Sequence, residues 1–138
     1  MVSPKPYHLL LADDDAGFRE TVRGILEPYF VLLEADSGEQ ALELSAQNRI
    51  DIAILDMHMR RLTGLETLRI LRTYNDIAPC ILITANATDK LRRDARQAEA
   101  YCVLSKPVRK TDLVTTVSSA LVDVYEDPDA FSLTGGSV

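Results

Sequence analysis

Five short apolar runs punctuate the chain: YHLLLA at Tyr7–Ala12, FVLLEA at Phe30–Ala35, IDIAIL at Ile50–Leu55, CILIT at Cys80–Thr84 and YCVL at Tyr101–Leu104. Each has the length of a strand, and several are apolar almost throughout. That is the pattern of strands covered on both faces, as in a parallel sheet. Between the runs, apolar residues recur at helical spacing. Phe18, Val22, Ile25 and Leu26 form one stripe that stops near Pro28. Ser37-Gly-Glu-Gln40 opens the next helix as a capping box, with the hydroxyl capping the first turn and Gln40 reaching back. Leu65, Leu68 and Leu71 make a third stripe, and Leu91, Ala95 and Ala98 a thin fourth. Leu113, Val117, Ala120, Leu121 and Val124 make the fifth and strongest. Five strands alternating with five helices predict an α/β doubly wound fold. Right-handed crossovers then place helices on both faces of a five-stranded parallel sheet. After Tyr125 the sequence EDPDAFSLTGGSV has no period, so residues 126–138 read as a loose tail with no output domain in this chain.

With 138 residues, the chain has the size of one domain and can bury a core without disulfides or a structural metal. The 46% hydrophobic and 26% charged fractions exclude collagen-like, mucin-like and wholly disordered chains. The net charge of −6 argues against a stand-alone nucleic-acid or membrane-surface binder, which needs a basic face. No apolar run has the length of a membrane span, and the start MVSPKPYH lacks the apolar core of a secretory signal. Cys80 and Cys102 stand alone in apolar runs, without metal-ligand spacing. They read as core thiols in a reducing, cytoplasmic compartment.

Ligands of an open parallel sheet bind beyond the carboxyl ends of its strands. The first run ends in Asp13-Asp14-Asp15, the third at Asp56, the fourth at Thr84-Ala85 and the fifth at Ser105-Lys106-Pro107. Acidic, hydroxyl and basic groups therefore converge on one rim. Several carboxylates in one crevice repel, and a divalent cation such as Mg²⁺ (or Mn²⁺) removes that problem with oxygen ligands. Asp56 is placed to act as a nucleophile and form an aspartyl-phosphate. Lys106 is then a point charge for phosphoryl oxygens, the Thr84 hydroxyl a donor, and small Ala85 leaves room for the group. Asp15 precedes the first helix and reads as its N-cap.

The runs LLLADDD, DIAILDMHMRRLTGLETL, ILITA and VLSKPV resemble the receiver domain of bacterial two-component response regulators, over about Tyr7 to Tyr125. The resemblance implies a flavodoxin-like strand order 2-1-3-4-5 and a receiver domain spanning residues 1–125. It implies phosphoryl transfer to Asp56 from a phosphohistidine on a sensor histidine kinase or phosphotransfer protein. It implies metal held by Asp14 and Asp56, helped by Asp13, with the backbone carbonyl of His58 as a further ligand. Thr84 and Lys106 would contact the phosphoryl group and shift the fourth helix, fifth strand and fifth helix. That face would meet a downstream effector protein or output domain, or a second copy in a homodimer. No nucleic acid or membrane partner is expected.

Three departures mark this sequence against that family. Arg60 stands where a proline is usual, four residues after Asp56, while Gly64 is kept. Val103 stands where an aromatic is common, three residues before Lys106, with Tyr101 expected on the same side of the strand two residues earlier. His58 and Asn86 flank the phosphoryl site, where such residues control water access; His58 reads most simply as a solvated loop residue. Other functions fit parts of the pattern. A relay intermediate would use the same chemistry. A haloacid-dehalogenase-like phosphatase would use carboxylates of the Asp13-Asp14-Asp15 run, but expects Thr where Gly17 stands. A pseudo-receiver would dock without being phosphorylated. A flavin-type cofactor binder lacks its phosphate loop after the first strand.

Overall fold

All five apolar runs are strands. The computed structural model describes residues 6–75 and 77–129. The elements follow as β1 (Tyr7–Ala12), α1 (Ala16–Leu26), β2 (Phe30–Ala35), α2 (Gly38–Gln47) and β3 (Ile52–Asp56). Then come α3 (Gly64–Leu71), β4 (Cys80–Thr84), α4 (Asp89–Gln97), β5 (Cys102–Ser105) and α5 (Lys110–Tyr125). Every strand pair is parallel, and the order is β2-β1-β3-β4-β5. The third strand starts later than its apolar run does. Asp51 turns its carboxylate back onto the His8 backbone N–H at 2.8 Å.

Strand alternation divides the core into two layers. Leu10, Leu55 and Leu82 face Ala41 of α2, Leu65, Leu68 and Leu71 of α3, and Ala95 of α4. Leu9, Leu11, Ile54 and Ile83 face Val22 and Leu26 of α1 and Leu113, Val117 and Leu121 of α5. All residues of β3 and β4 are buried, which is why their runs carry no polar alternation.

Side chains cap four of the five helices. Asp15, Ser37, Thr63 and Thr88 each accept a backbone N–H of the first turn. At Ser37 the box is displaced by one residue, since Gln40 Oε1 takes the N–H of Asp36 at 2.7 Å. The complete capping box is instead Thr63 with Glu66, ahead of α3. Only Leu91 and Ala95 of α4 are buried, as its thin stripe implies. That helix ends in a Schellman turn: Ala100 N–H reaches Ala95 C=O at 2.9 Å, and Glu99 N–H reaches Arg96 C=O at 3.0 Å. Glu99 takes the left-handed conformation there, with φ 65°. The Arg72 guanidinium locks this end by donating to the carbonyls of Asn75 (3.2 Å), Ala78 (2.7 Å) and Glu99 (3.0 Å).

Two expectations change. Tyr101 does not share a side with Val103. It precedes β5, packs in the α1/α5 layer and bonds Asp123 of α5 at 2.6 Å, whereas Val103 packs in the other layer. The period-two argument fails because Tyr101 lies outside the strand. The tail expected to be loose is tied at its start: Tyr7 donates to Asp127 at 2.7 Å, and Tyr7 stacks on Tyr125 at 5.4 Å. Residues 130–138 of that tail lie outside the described residues.

Gly24 lies exposed inside α1, and an added Cβ would meet nothing within 4 Å. Gly24→Ala should therefore stabilise the protein by about 0.5–1 kcal/mol, because alanine loses less backbone entropy in a helix. A urea-unfolding midpoint that does not rise would contradict this.

Candidate functional site

Asp13 follows β1, and Asp56 closes β3 on the adjacent strand. Parallel pairing thus sets two carboxylates at one rim. Both are nearly sealed from solvent, with Asp13 1% and Asp56 4% exposed, while Asp14 is exposed. Lys106, after β5, crosses the top of β4 to reach them. Its Nζ lies 3.0 Å from Asp13 Oδ2 and 3.2 Å from Asp56 Oδ1. Burial and then the Asp13 charge push the Asp56 carboxyl above its usual range, while Lys106 pulls the other way. For Lys106, burial works against the charge, but the hydrogen bond and charge of Asp13, with Asp56 behind, raise its pKa overall.

Asp13, Asp14 and Asp56 each offer a carboxylate oxygen, all within 4.8 Å of one another. An all-oxygen set with only three protein carboxylates fits Mg²⁺, a hard cation that keeps water ligands. Asp15 is spent elsewhere. Its Oδ1 takes the N–H groups of Gly17 (2.9 Å) and Phe18 (3.3 Å), so it caps α1 and leaves the cluster. That removes one carboxylate a phosphatase reading would have used.

Thr84 ends β4 beside the Asp56–Ile83 register pair and is fully buried. Its Oγ1 accepts the N–H of Asn86 at 3.0 Å and lies 3.2 Å from His58 Nε2. His58 is exposed yet partnered, so it is more than a solvated loop residue. Ala85 is exposed at the rim. The backbone between Asp56 and α3 returns tightly on itself: Gly64 N–H bonds Met57 C=O at 3.1 Å, and a Cβ at Gly64 would run into the Asp56 carbonyl.

A model of the response regulator receiver domain matches residues 9–118. The chain belongs to this family. It is 37% identical over 133 residues to the response regulator MprA of Mycobacterium sp. (strain KMS), covering 94% of this chain and 57% of that protein. It is 29% identical to the transcriptional regulatory protein YvrH of Bacillus subtilis, covering 90% of this chain and 53% of that one. This chain therefore spans just over half the length of these relatives. The signal receiver domain of an HD domain-containing protein from Pseudomonas fluorescens Pf-5 superposes with a TM-score of 0.84 at 26% identity, covering 89% of this chain and all of that one. A CheY-like receiver from Methanospirillum hungatei shares the fold, with a TM-score of 0.85 at 20% identity over 88% of this chain and 98% of that one. Among the described residues, no helix of this receiver is long and apolar enough to cross a membrane.

The rim also holds residues that the sequence pattern did not assign to the site. Phe18, in the first turn of α1, sets its ring 4.5 Å beneath Lys106 Nζ. Arg19 donates to the Asp13 carbonyl at 2.5 Å. They lie three and four residues after the acidic run, in the first turn of α1, and that nearness to the rim was the available signal. Arg60 is exposed, and its neighbour Arg61 takes φ 67° and faces Glu39 at 3.8 Å. Val103 lines a cleft of about 250 Å³ between α4 and β5, with Arg92, Arg96 and Tyr101 also on its walls.

Proposed function

We propose that this receiver domain is a phosphorylation-activated switch with Asp56 as the phosphoacceptor. The observation that carries it is the convergence of Asp13, Asp14, Asp56 and Lys106 on one rim, with Thr84 on the adjoining strand. An Asp56 carboxylate oxygen attacks phosphorus, the P–N bond to the donor histidine breaks, and the imidazole leaves with a proton from solvent. Lys106 is already ion-paired to Asp56, so it moves onto the phosphoryl oxygens without crossing the site. Mg²⁺ bound by Asp13, Asp14, Asp56 and the His58 carbonyl would offset negative charge on the transferring group. The donor is a sensor histidine kinase or phosphotransfer protein, and the readout is altered binding of an effector or output domain by the α4–β5–α5 face. That face also serves for homodimer formation in this reading.

Intact-mass measurement after acetyl phosphate and Mg²⁺ tests the proposal. The wild type should gain one phosphoryl mass, and EDTA should abolish the gain. Asp56→Asn should gain none, because an amide is not a nucleophile here. Equal labelling of Asp56→Asn would move the acceptor elsewhere.

A further inference from the structure

His58 and Thr84 form a contact that the proposed chemistry does not use. A threonine hydroxyl has one proton and two lone pairs. One lone pair of Thr84 Oγ1 is taken by the Asn86 N–H at 3.0 Å. His58 Nε2, 3.2 Å away, is the remaining side-chain partner shown for that hydroxyl. In the neutral tautomer that carries its proton on Nδ1, Nε2 is the acceptor and Thr84 spends its only proton on the imidazole. The same proton is the one Thr84 must give to a phosphoryl oxygen on Asp56. Thr84 is fully buried, whereas His58 stands exposed on the loop after β3. The buried donor is thus held from outside by a side chain that can swing into water.

We propose that His58 is a latch: by accepting the Thr84 hydroxyl proton it holds Thr84 in the resting arrangement and competes with the phosphoryl group for that donor. It is a positioning residue, acting through Thr84 and not on the phosphoryl group itself. The latch rests on the proposed phosphorylation of Asp56 and adds a threshold to it. Breaking the His58–Thr84 bond is part of the cost of activation. The imidazole then meets water at the rim, which lessens that cost but does not cancel it. No covalent step is involved.

The test is a titration with beryllofluoride, a phosphoryl mimic, in saturating Mg²⁺, followed by amide NMR. The Asn86 amide reports directly on Thr84 Oγ1. His58→Ala should reach half-saturation at a beryllofluoride concentration about 3- to 10-fold lower than the wild type, the effect of one ordinary hydrogen bond. His58→Gln, whose side-chain carbonyl accepts the same proton, should return toward the wild-type value. In a Thr84→Ala background, His58→Ala should change nothing. An unchanged midpoint for His58→Ala overturns the latch, as does the same shift in both backgrounds, which would mark an effect on the loop and not on Thr84. If the wild type and every His58 variant ignore beryllofluoride, the phosphorylation proposal itself falls and takes the latch with it.

Discussion

Gly64→Ala is expected to destabilise this receiver by about 3 kcal/mol, although it adds one methyl group to a helical position. The new Cβ would overlap the Asp56 carbonyl oxygen and crowd its carbon at 2.9 Å. Those are backbone atoms, so no rotamer change relieves the clash. The β3–α3 connection must move, and it carries Asp56. The contrast with Gly24→Ala isolates the cause, since that alanine has nothing within 4 Å to meet. Chemical unfolding of the two variants should therefore shift in opposite directions. Gly64→Ala should also label more slowly with acetyl phosphate even where it is folded. A Gly64→Ala protein as stable as the wild type would mean that the connection yields without cost.

Lys106→Ala should cost about 3 kcal/mol at pH 7, the low end of the range found when one partner of a buried ion pair is removed, because the lysine keeps some exposure. Among the described residues, the lysine is the cation ion-paired to the carboxylates of Asp13 and Asp56, and its side chain is only 24% exposed. Without it, two buried carboxylates face each other. The pH dependence fixes the mechanism. Asp56 already has a raised pKa through burial and Asp13, and losing Lys106 raises it further. A carboxyl with a higher pKa folded than unfolded binds its proton more tightly when folded, so stability rises as pH falls through that raised value. The variant should recover most of its deficit between neutrality and the ordinary carboxylate range. In the wild type, Lys106 has a raised pKa, so its contribution is present below the ordinary lysine value and is lost only as pH rises through the raised one. Mg²⁺ should restore the variant more than it stabilises the wild type, because it replaces the missing positive charge. A deficit independent of pH would assign the loss to the contact of the Lys106 ammonium with the Phe18 ring.

The strands were legible because β3 and β4 are buried on both faces and cannot carry polar residues. The rim was legible for a topological reason: parallel strands all end on one side, so the sequence order alone places Asp13, Asp56 and Lys106 together. The side-chain exchanges were not. Which carboxylates Lys106 meets depends on where its long stem lies, and its ammonium sits over the ring of Phe18, whose helical spacing pointed only to the core. His58 looked solvated because exposure is easy to infer for a loop and a partner across two strands is not. Tyr101 was misplaced because the alternation rule was applied one residue before the strand begins. The Thr63-Gly-Leu-Glu66 capping box carried a readable pattern, the same one recognised at Ser37, where the side chain of Gln40 reaches one residue further back.

The attachment of α4 sets how it can travel. Its foot is held three ways, by the Schellman turn, by Arg72 on the Glu99 carbonyl and by buried Ala95. Its head follows directly from Thr84 through Asn86 and the Thr88 cap. In the proposed switch the helix would act as a lever with its pivot at the Arg72 end, and buried Leu91, nearer the head, would be the contact that shifts. Nine residues make a rod of about 13 Å, so a tilt of roughly 10° carries the head about 2 Å and the foot hardly at all. Lys90, Arg93 and Arg96 would then be displaced in graded amounts along one rod, with Lys90 sweeping furthest and Arg96 nearly still.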